Sequence, residues 1–539
     1  MKRDRNSTFR AWLLTLAVVL GMVGVGFIPA ADILGIELQR VDILADIKGA
    51  NDEPVEYEAD IERLEMELAA MGESEEVVAI DTLPELPSVR YEWIAVESAP
   101  YERRVPTIES LQPDTTRHII PIEDFDTMPT TRLDRLVEKL ASGEDVRIAF
   151  MGDSFIEGDI LTSDLRSELQ QMFGGRGVGF VPCDIPFATA RRSVKRSASG
   201  WSSYSVMKPK SAPESLRDIF FISGYISEGK SGANVRWQST DIFPTIDSCT
   251  RARILLLSRD SSRLVVTLND TLRHEVELAG DERLREIYIE APYKSLAMKV
   301  AKGRVVCYGA SLEGDGGVTV DNFSVRSNNG HAIFGTGAQI NRQADDMLNY
   351  DLVVLQYGLN IMMPGQRNFS KYRDQLRDMI AYTERCFPNA AILVLGVSDR
   401  WIKDAETERY KPIGSVDALT RHQRAAADSC RVAFWNTSEA MAELGGMPAF
   451  VRNGWAAGDY THLNYAGGRR IAEALSRSIS KAVYDLLVER EAERQRAEEE
   501  RLQRELMLQM RIETQITNQR EAIAPIIDSL PLTLLNDAE

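Results

Sequence analysis

The chain has 539 residues, too many for one hydrophobic core, so we expect two or more folded units joined by linkers. Hydrophobic residues make up 44% of it, an ordinary share for a globular protein. The formal net charge of -18 argues against a nucleic-acid partner, because binding a phosphate backbone requires a basic face.

The amino terminus combines a basic start with a long apolar run. Basic residues as far as Arg10 precede an uncharged stretch over residues 11–31. This pattern is typical of a signal peptide, and a run of this length also spans a bilayer. We interpret residues 1–36 as a signal anchor or signal peptide. Because basic flanks stay inside, the rest of the chain is expected in the periplasm, anchored in the inner membrane or secreted after cleavage.

An α/β pattern follows an acidic segment. Residues 37–117 are acidic and contain proline, with little periodicity, which predicts a mostly extended or disordered linker. Residues 118–199 then begin an α/β domain, with a buried strand over 146–150 and an amphipathic helix over 161–173. A glycine-rich stretch over 173–180 is expected to be a loop.

The pattern changes between residues 200 and 322. Short alternating runs separated by turn signals predict an all-β sandwich or jelly roll. The predicted strands cover residues 218–222, 234–238, 253–257, 263–268, 284–289, 295–300 and 304–310. Because the α/β pattern resumes afterwards, we interpret this segment as an insertion.

Strands alternate with helices again over residues 323–488, which predicts a parallel sheet. The predicted strands cover 351–357, 390–397 and 432–435, and the predicted helices 368–385, 420–429 and 469–489. Residues 489–539 form a charged helical tail that is expected to end at Pro525. The tail lacks a sustained heptad repeat, and docking to a protein partner is one role for it.

Four polar blocks lie near the carboxyl ends of predicted strands or in nearby loops, where open α/β sheets carry their sites. Ser154 ends a Gly-Asp-Ser tripeptide, Gly330 follows the insertion, Asn360 follows a strand, and Asp459 and His462 precede the last helix. A serine hydroxyl needs a base, which His462 supplies, and Asp459 orients the imidazole. The backbone N–H groups of Ser154 and Gly330 and the Asn360 amide are the candidate oxyanion donors.

The order Gly-Asp-Ser, Gly, Gly-x-Asn, Asp-x-x-His resembles the SGNH hydrolases, also called GDSL-type esterases, roughly over residues 146–476 outside the insertion. Gly317 and Gly335 compete with Gly330 for the glycine role. Ile361 replaces the acidic residue that commonly follows the asparagine. The resemblance implies a flavodoxin-like three-layer domain and ester hydrolysis without a metal or cofactor.

Within that family, the stretches 152–159 and 173–182 look like those of bacterial peptidoglycan O-acetylesterases. Those enzymes also carry a β-rich, carbohydrate-module-like domain between the serine and glycine blocks. The resemblance implies removal of acetyl groups from an O-acetylated cell-envelope glycan. An O-acetyltransferase using the same acetyl-enzyme, and a non-catalytic glycan-binding scaffold, remain alternatives.

Some polar and aromatic residues outside these blocks are further candidates. Arg191, Arg192, Lys195 and Arg196 form a basic cluster that leads into the insertion, either a site for an anionic polymer or, more plainly, a solvated patch. Arg191, Arg192 and Trp201 are the candidate substrate-binding residues, with a core aromatic as the plainer interpretation of the tryptophan. Cys386 and Cys430 each precede a predicted strand of one sheet, so they form a disulfide or remain free thiols.

Overall fold

A computed structural model describes residues 31–33, 36–38, 88–96, 102–186 and 191–528, with only the backbone described for 31–38 and 524–528. The chain divides into two compact units, residues 1–74 and 75–539. The described part of the first unit is an antiparallel pair, β1 (Ala31–Ile33) and β2 (Ile36–Leu38).

The predicted membrane segment lies outside the described residues, apart from its last residue, Ala31, where β1 begins. In the part of the chain that the structure describes, no helix combines the length and apolar character needed to cross a membrane.

The second unit contains the remaining elements. Its strands are β3 (Val89–Ile94), β4 (Glu123–Asp124), β5 (Val146–Gly152), β6 (Gly177–Pro182), β7 (Val194–Ser205), β8 (Tyr225–Ser239), β9 (Cys249–Ser258), β10 (Ser262–Leu268), β11 (Leu272–Leu278), β12 (Arg285–Tyr293), β13 (Ser295–Lys302), β14 (Arg304–Glu313), β15 (Val318–Ser324), β16 (Leu352–Gln356), β17 (Ala391–Leu395), β18 (Trp401–Lys403), β19 (Tyr410–Pro412) and β20 (Ala433–Trp435). Its helices are α1 (Arg132–Ser142), α2 (Thr162–Phe173), α3 (Glu214–Arg217), α4 (Ala338–Leu348), α5 (Ser370–Cys386), α6 (Val416–Cys430), α7 (Thr437–Ala442), α8 (Gly446–Arg452) and α9 (Tyr465–Asp528).

The central sheet has the strand order β15-β5-β16-β17-β20-β4. All its pairings are parallel except that of β4 with β20. Numbered along the chain, the five parallel strands stand in the order 2-1-3-4-5, which is the flavodoxin-like doubly wound order. This order places the carboxyl ends of β5, β15 and β16 side by side, and the candidate site lies at that edge.

Both faces of the central sheet are covered by helices. Alternate residues of β5 face opposite sides of the sheet. Ile148 and Phe150 pack in one core with residues of α1, α2 and α9, whereas Ala149 and Met151 pack in another with residues of α4, α5 and α6. The predicted mixed α/β architecture is confirmed.

The β-rich region forms one branched ten-stranded sheet with its own apolar core. Its main path runs β11-β10-β13-β8-β14-β9-β12-β3, and β6 and β7 branch from β14 and β8. The β-rich sheet does not begin and end at the boundaries predicted from the sequence, residues 200 and 322. It also recruits β3 from the predicted linker, β6 from the predicted glycine-rich loop, and the start of β7, whereas β15 belongs to the central sheet.

Two local predictions are corrected, and one open alternative is decided. Residues 218–222 form a turn and not a strand, although Phe220 and Phe221 are fully buried. Helix α9 continues to Asp528, past the predicted end at Pro525. All five cysteines are free thiols, so Cys386 and Cys430 do not form a disulfide.

A buried ionic cluster joins the two sheets. Arg147 of β5 donates to Asp321 of β15 at 2.8 Å and to Glu313 of β14 at 2.6 Å. Arg253 of β9 donates to Glu313 at 3.2 Å, and all these side chains are mostly buried. Because charged hydrogen bonds of this kind are directional, the cluster fixes the β-rich sheet against the sheet that carries the candidate site.

Candidate active site

The nucleophile candidate lies on a tight turn directly after β5. Asp153 is fully buried, and its Oδ1 accepts the N–H of Phe155 at 2.9 Å, which closes the turn around Ser154. Ser154 itself is half-buried. A short 3₁₀ turn, Glu157–Asp159, separates it from α2. The turn therefore presents the serine hydroxyl at the carboxyl edge of the central sheet.

The Asn360 side chain connects the segments that carry two other candidate donors. It lies on a 3₁₀ turn after β16, and its Nδ2 donates to Asp153 Oδ2 at 3.3 Å and to the Asn328 carbonyl at 3.1 Å. The Gly330 N–H donates to Asn328 Oδ1 at 2.8 Å. The structure thus brings together the segments of Ser154, Gly330 and Asn360, and it shows two of the predicted oxyanion donors bonded to protein acceptors.

The backbone N–H of Ser154 differs from those two donors, because within the described part of the chain it makes no hydrogen bond. A free donor on the nucleophile residue is the arrangement that stabilises a developing oxyanion.

The geometry separates the competing glycines. Gly330 has φ of 96°, a left-handed backbone conformation that favours glycine, and a Cβ at this position would also displace the end of the Met379 side chain. Gly317 lies at the other end of the sheet, where its carbonyl accepts the N–H of Val146 at 3.1 Å. Gly335 ends the 3₁₀ turn that begins after Gly330. Gly330 is therefore the glycine that lies against the Asn360 segment.

Asp459 and His462 form a hydrogen-bonded pair in the loop before α9. His462 Nδ1 and Asp459 Oδ2 are 2.6 Å apart, and Asp459 Oδ1 accepts the backbone N–H groups of Thr461 at 2.9 Å and His462 at 3.1 Å. Burial raises the pKa of the Asp459 carboxyl, but these hydrogen bonds and the charge of His462 outweigh it and hold the pKa below its usual value. An ionised carboxylate at this position fixes the proton on Nδ1, so Nε2 is the nitrogen that can accept a proton.

Helix α9 anchors the His462 loop to the Ser154 turn. The Tyr465 hydroxyl donates to the Gly158 carbonyl at 2.9 Å. A Cβ at Gly468 would overlap the Ile160 carbonyl, so the first turn of α9 lies directly on the segment after Ser154. The candidate nucleophile turn, the Asp459–His462 loop and the segments of the candidate oxyanion donors therefore pack at one edge of the sheet, and these residue types are suited to acyl transfer.

Two features of the site were missed from the sequence. Asn328 organises the Gly330 loop, and an asparagine two residues before a glycine is a usable turn signal. Behind His462, Tyr460 has φ of 58° and stacks on Tyr410 at 4.0 Å, with Trp401 next to it. These aromatic residues come from β18, β19 and the loop before α9, so no local pattern in the sequence reveals the cluster.

The structure gives each of the three candidate substrate-binding residues a protein partner. Arg191 is largely buried and pairs with Asp159 at 3.1 Å. Arg192 pairs with the buried Asp164 and lies over the Tyr465 ring. The Trp201 indole donates to the Asn234 carbonyl at 2.8 Å, and its ring lies on Gly229. Because both guanidinium groups are committed to carboxylates around α2, neither forms the solvated patch expected from the sequence, nor a free anion-binding surface.

The described residues include no group of His, Cys, Asp and Glu that could hold a metal ion.

Comparison with known proteins gives similarity in structure only. No family model matches the chain, and no curated protein matches it. A solved peptidoglycan O-acetylesterase is similar to it with a TM-score of 0.56 and 21% identity, over 68% of this chain and 99% of its own. A family two carbohydrate esterase from Cellvibrio japonicus has a TM-score of 0.22 and 10% identity, over 54% of this chain and 99% of its own. A lipase/acylhydrolase from Enterococcus faecalis has a TM-score of 0.23 and 15% identity, over 31% of this chain and 77% of its own.

The first of these similarities shows a shared fold. At 21% identity it shows the fold alone, and the two lower scores carry no argument.

Proposed function

We propose that the protein is a serine esterase of the SGNH type that removes O-acetyl groups from a cell-envelope glycan, with peptidoglycan as the substrate. The observation that carries the proposal is the 2.6 Å hydrogen bond between His462 Nδ1 and Asp459 Oδ2, in a loop anchored on the Ser154 turn. The fold shared with a peptidoglycan O-acetylesterase supports the choice of substrate.

In the acylation step, Ser154 Oγ attacks the acetyl carbonyl carbon while His462 Nε2 takes the hydroxyl proton. The bond from the carbonyl carbon to the sugar oxygen then breaks, and His462 returns the proton to that oxygen. Water attacks the resulting acetyl-enzyme with the same histidine as base, which releases acetate and restores the serine hydroxyl. The Asp459 carboxylate stabilises the imidazolium in both steps.

The oxyanion of each tetrahedral intermediate would be held first by the Ser154 backbone N–H. Asn360 can add a second donor, because its 3.3 Å contact with Asp153 is longer than an optimal hydrogen bond and is readily exchanged. Its 3.1 Å bond to the Asn328 carbonyl would keep the amide oriented meanwhile. The Gly330 N–H can contribute only after the Asn328 side chain releases it.

The test compares acetate release from O-acetylated peptidoglycan by the wild type, Ser154→Ala, and the matched control Ser231→Ala, which alters an exposed hydroxyl on β8. Loss of the nucleophile is expected to lower kcat about 10⁴-fold or more, and the control should match the wild type. Acetate release by Ser154→Ala at the wild-type rate would refute the proposal. Transfer of acetyl to an added glycan in preference to water would make the protein an O-acetyltransferase.

We also propose that the protein acts in the periplasm, held at the inner membrane by residues 11–31 or released after their cleavage. The proposed substrate lies in that compartment, and the basic start followed by an apolar run supports export. Cell fractionation with an antibody to the catalytic region is the test, and recovery of all the protein with cytoplasmic markers would contradict it.

A further inference from the structure

A cavity of about 330 Å³ lies next to the Ser154 turn, where the two sheets of the second unit meet. Glu157 and Gly158 of that turn line it, together with Ser324 at the carboxyl end of β15 and residues of β6, β7 and β8. Ser324 pairs with Gly152 in the central sheet, so the cavity opens at the same edge as the candidate active site. A polymer bound at Ser154 could therefore extend into it.

The charges around the cavity do not cancel. Its lining contains the cations Arg191, Lys195 and Arg196 and a single carboxylate, Glu157. Glu157 forms an ion pair at 2.6 Å with Arg326, which does not line the cavity. Arg191 forms an ion pair with Asp159, which also lies outside the lining. The excess positive charge of the cavity thus resides on Lys195 and Arg196.

Arg196 and Lys195 are weakly compensated. The Arg196 side chain is only 17% exposed, yet its ion pair with Asp184 spans 3.9 Å, which is too long for a hydrogen bond. Burial lowers the pKa of Arg196 and the charge of Asp184 opposes that effect, but a guanidinium stays protonated in proteins. Lys195 is exposed and makes no ion pair with a described residue.

A planar guanidinium that is partly desolvated and has few hydrogen-bond acceptors is suited to a carboxylate, which it can bind through two parallel bonds. Apolar side chains, among them Val181, Pro182 and Ile185, form another part of the lining. Apolar surface beside a cation fits a sugar or peptide unit that carries an acid group.

We propose that this cavity is a subsite for a carboxylate of the glycan substrate, with Arg196 as the anion-binding residue and Lys195 as a supporting charge. The proposal rests on the proposed function, and it narrows the substrate from an acetylated glycan to an acidic one. The carboxylate comes either from an acidic sugar of the strand or from a peptide attached to it.

The test measures binding without turnover. Full-length Ser154→Ala protein is titrated calorimetrically with soluble O-acetylated peptidoglycan strands and with the same strands after carbodiimide amidation of their carboxylates. We expect amidation to weaken binding about tenfold or more, and Arg196→Gln in the Ser154→Ala background to weaken binding of the untreated strands by a similar factor. Strands freed of their peptides show which source supplies the acid.

Two further variants separate an effect of the cavity from a general effect of losing a positive charge. Arg263→Gln removes an exposed arginine outside the cavity lining and should leave affinity unchanged. Lys195→Gln, which alters an exposed side chain, should weaken binding less than Arg196→Gln and serves as the second variant if the latter misfolds. Equal affinity for untreated and amidated strands would overturn the proposal. Carboxylate-dependent binding without acetate release by the wild type would refute the esterase and leave the subsite standing.

Discussion

The Asn360 amide donates to the Asp153 carboxylate at 3.3 Å, and this contact joins the turn of the candidate nucleophile to the carboxyl end of the neighbouring strand. Asp153 is fully buried and also closes the Ser154 turn through the Phe155 N–H. The same contact that positions the turn therefore holds the side chain that the proposed mechanism uses as an oxyanion donor.

Removing this amide should affect the chemical step more than substrate binding. Asn360→Ala is expected to lower kcat about 10²- to 10³-fold with little change in KM, because the oxyanion exists only near the transition state. Asn518→Ala, on the exposed part of α9, is the matched control and should behave as the wild type. A rise in KM at unchanged kcat would place Asn360 in ground-state binding.

The hydrogen bond between Asp459 and His462 should be needed for the rate of the chemical step. Asp459→Asn keeps the size of the side chain but replaces an acceptor with an amide, so the wrong imidazole tautomer is favoured. We expect kcat to fall by about 10⁴-fold while the circular dichroism spectrum stays unchanged. Steady-state kinetics at several pH values is the measurement, and activity within tenfold of the wild type would argue that another group orients His462.

The buried ionic cluster between the sheets should make stability depend on acid pH. Burial raises the pKa of Glu313, but the charges of Arg147 and Arg253 outweigh it and lower this pKa from 4.5 to about 2. Because the folded pKa is depressed, this stabilisation is present above about pH 4.5 and is lost as the pH falls towards 2.

Glu313→Gln tests this cluster by leaving Arg147 and Arg253 without that charge. It should lower the free energy of unfolding by about 3–5 kcal/mol at neutral pH, and by progressively less as the pH approaches 2. Urea unfolding across this range is the measurement, with the exposed Glu275→Gln as control. A destabilisation that does not vary with pH would exclude the electrostatic explanation.

The raised pKa of Glu168 predicts that stability changes with pH in the opposite direction. Burial against α9 and the nearby charges of Glu473 and Asp164 raise the pKa of Glu168 to about 7, although the Ser476 hydroxyl donates to it. A raised acid pKa means that deprotonation favours unfolding, so this side chain costs stability as the pH rises from about 4.5 to 7. Glu168→Gln should raise Tm at pH 8 and leave it nearly unchanged at pH 4; a lower Tm at pH 8 would contradict the assignment.

The end of α9 should be dispensable for catalysis. Every side chain over residues 492–523 is exposed, including the apolar Leu502, Leu506 and Met510. A protein ending at Glu491 is expected to keep the wild-type kcat and KM on a small aryl acetate. Loss of activity in a folded truncated protein would show that the tail takes part in catalysis.

The sequence predicts the central part of the fold well because its signals are local. The buried run of β5, the helical spacing of α2 and the strands β16 and β17 all follow from hydrophobic periodicity. Strand β3 was missed because its pairing partner, β12, lies far along the chain. Strand β6 was missed because Gly177 and Gly179 suggest a loop, whereas both glycines allow close approach to neighbouring backbone.

In the candidate site, too, features with local sequence signals could be predicted, whereas contacts between distant residues could not. The candidate residues, from Ser154 to His462, could be proposed from motif order, since each block directly follows or precedes a recognisable element. The partners of Arg191 and Arg192 could not, because Asp159 and Asp164 look like ordinary polar residues until the fold buries them. Arg196 already belongs to a basic cluster in the sequence, but the cavity around it exists only where the two sheets meet.

The central claim is that acetyl passes through a covalent bond to Ser154, and the most direct measurement is its capture. The wild type is mixed with O-acetylated peptidoglycan, quenched in acid within the first turnovers, digested, and analysed by mass spectrometry. We expect one acetyl group on the peptide containing Ser154, absent from the Ser154→Ala protein. Continued acetate release by Ser154→Ala, or rapid release from the wild type with acetyl trapped on a different residue, would contradict it.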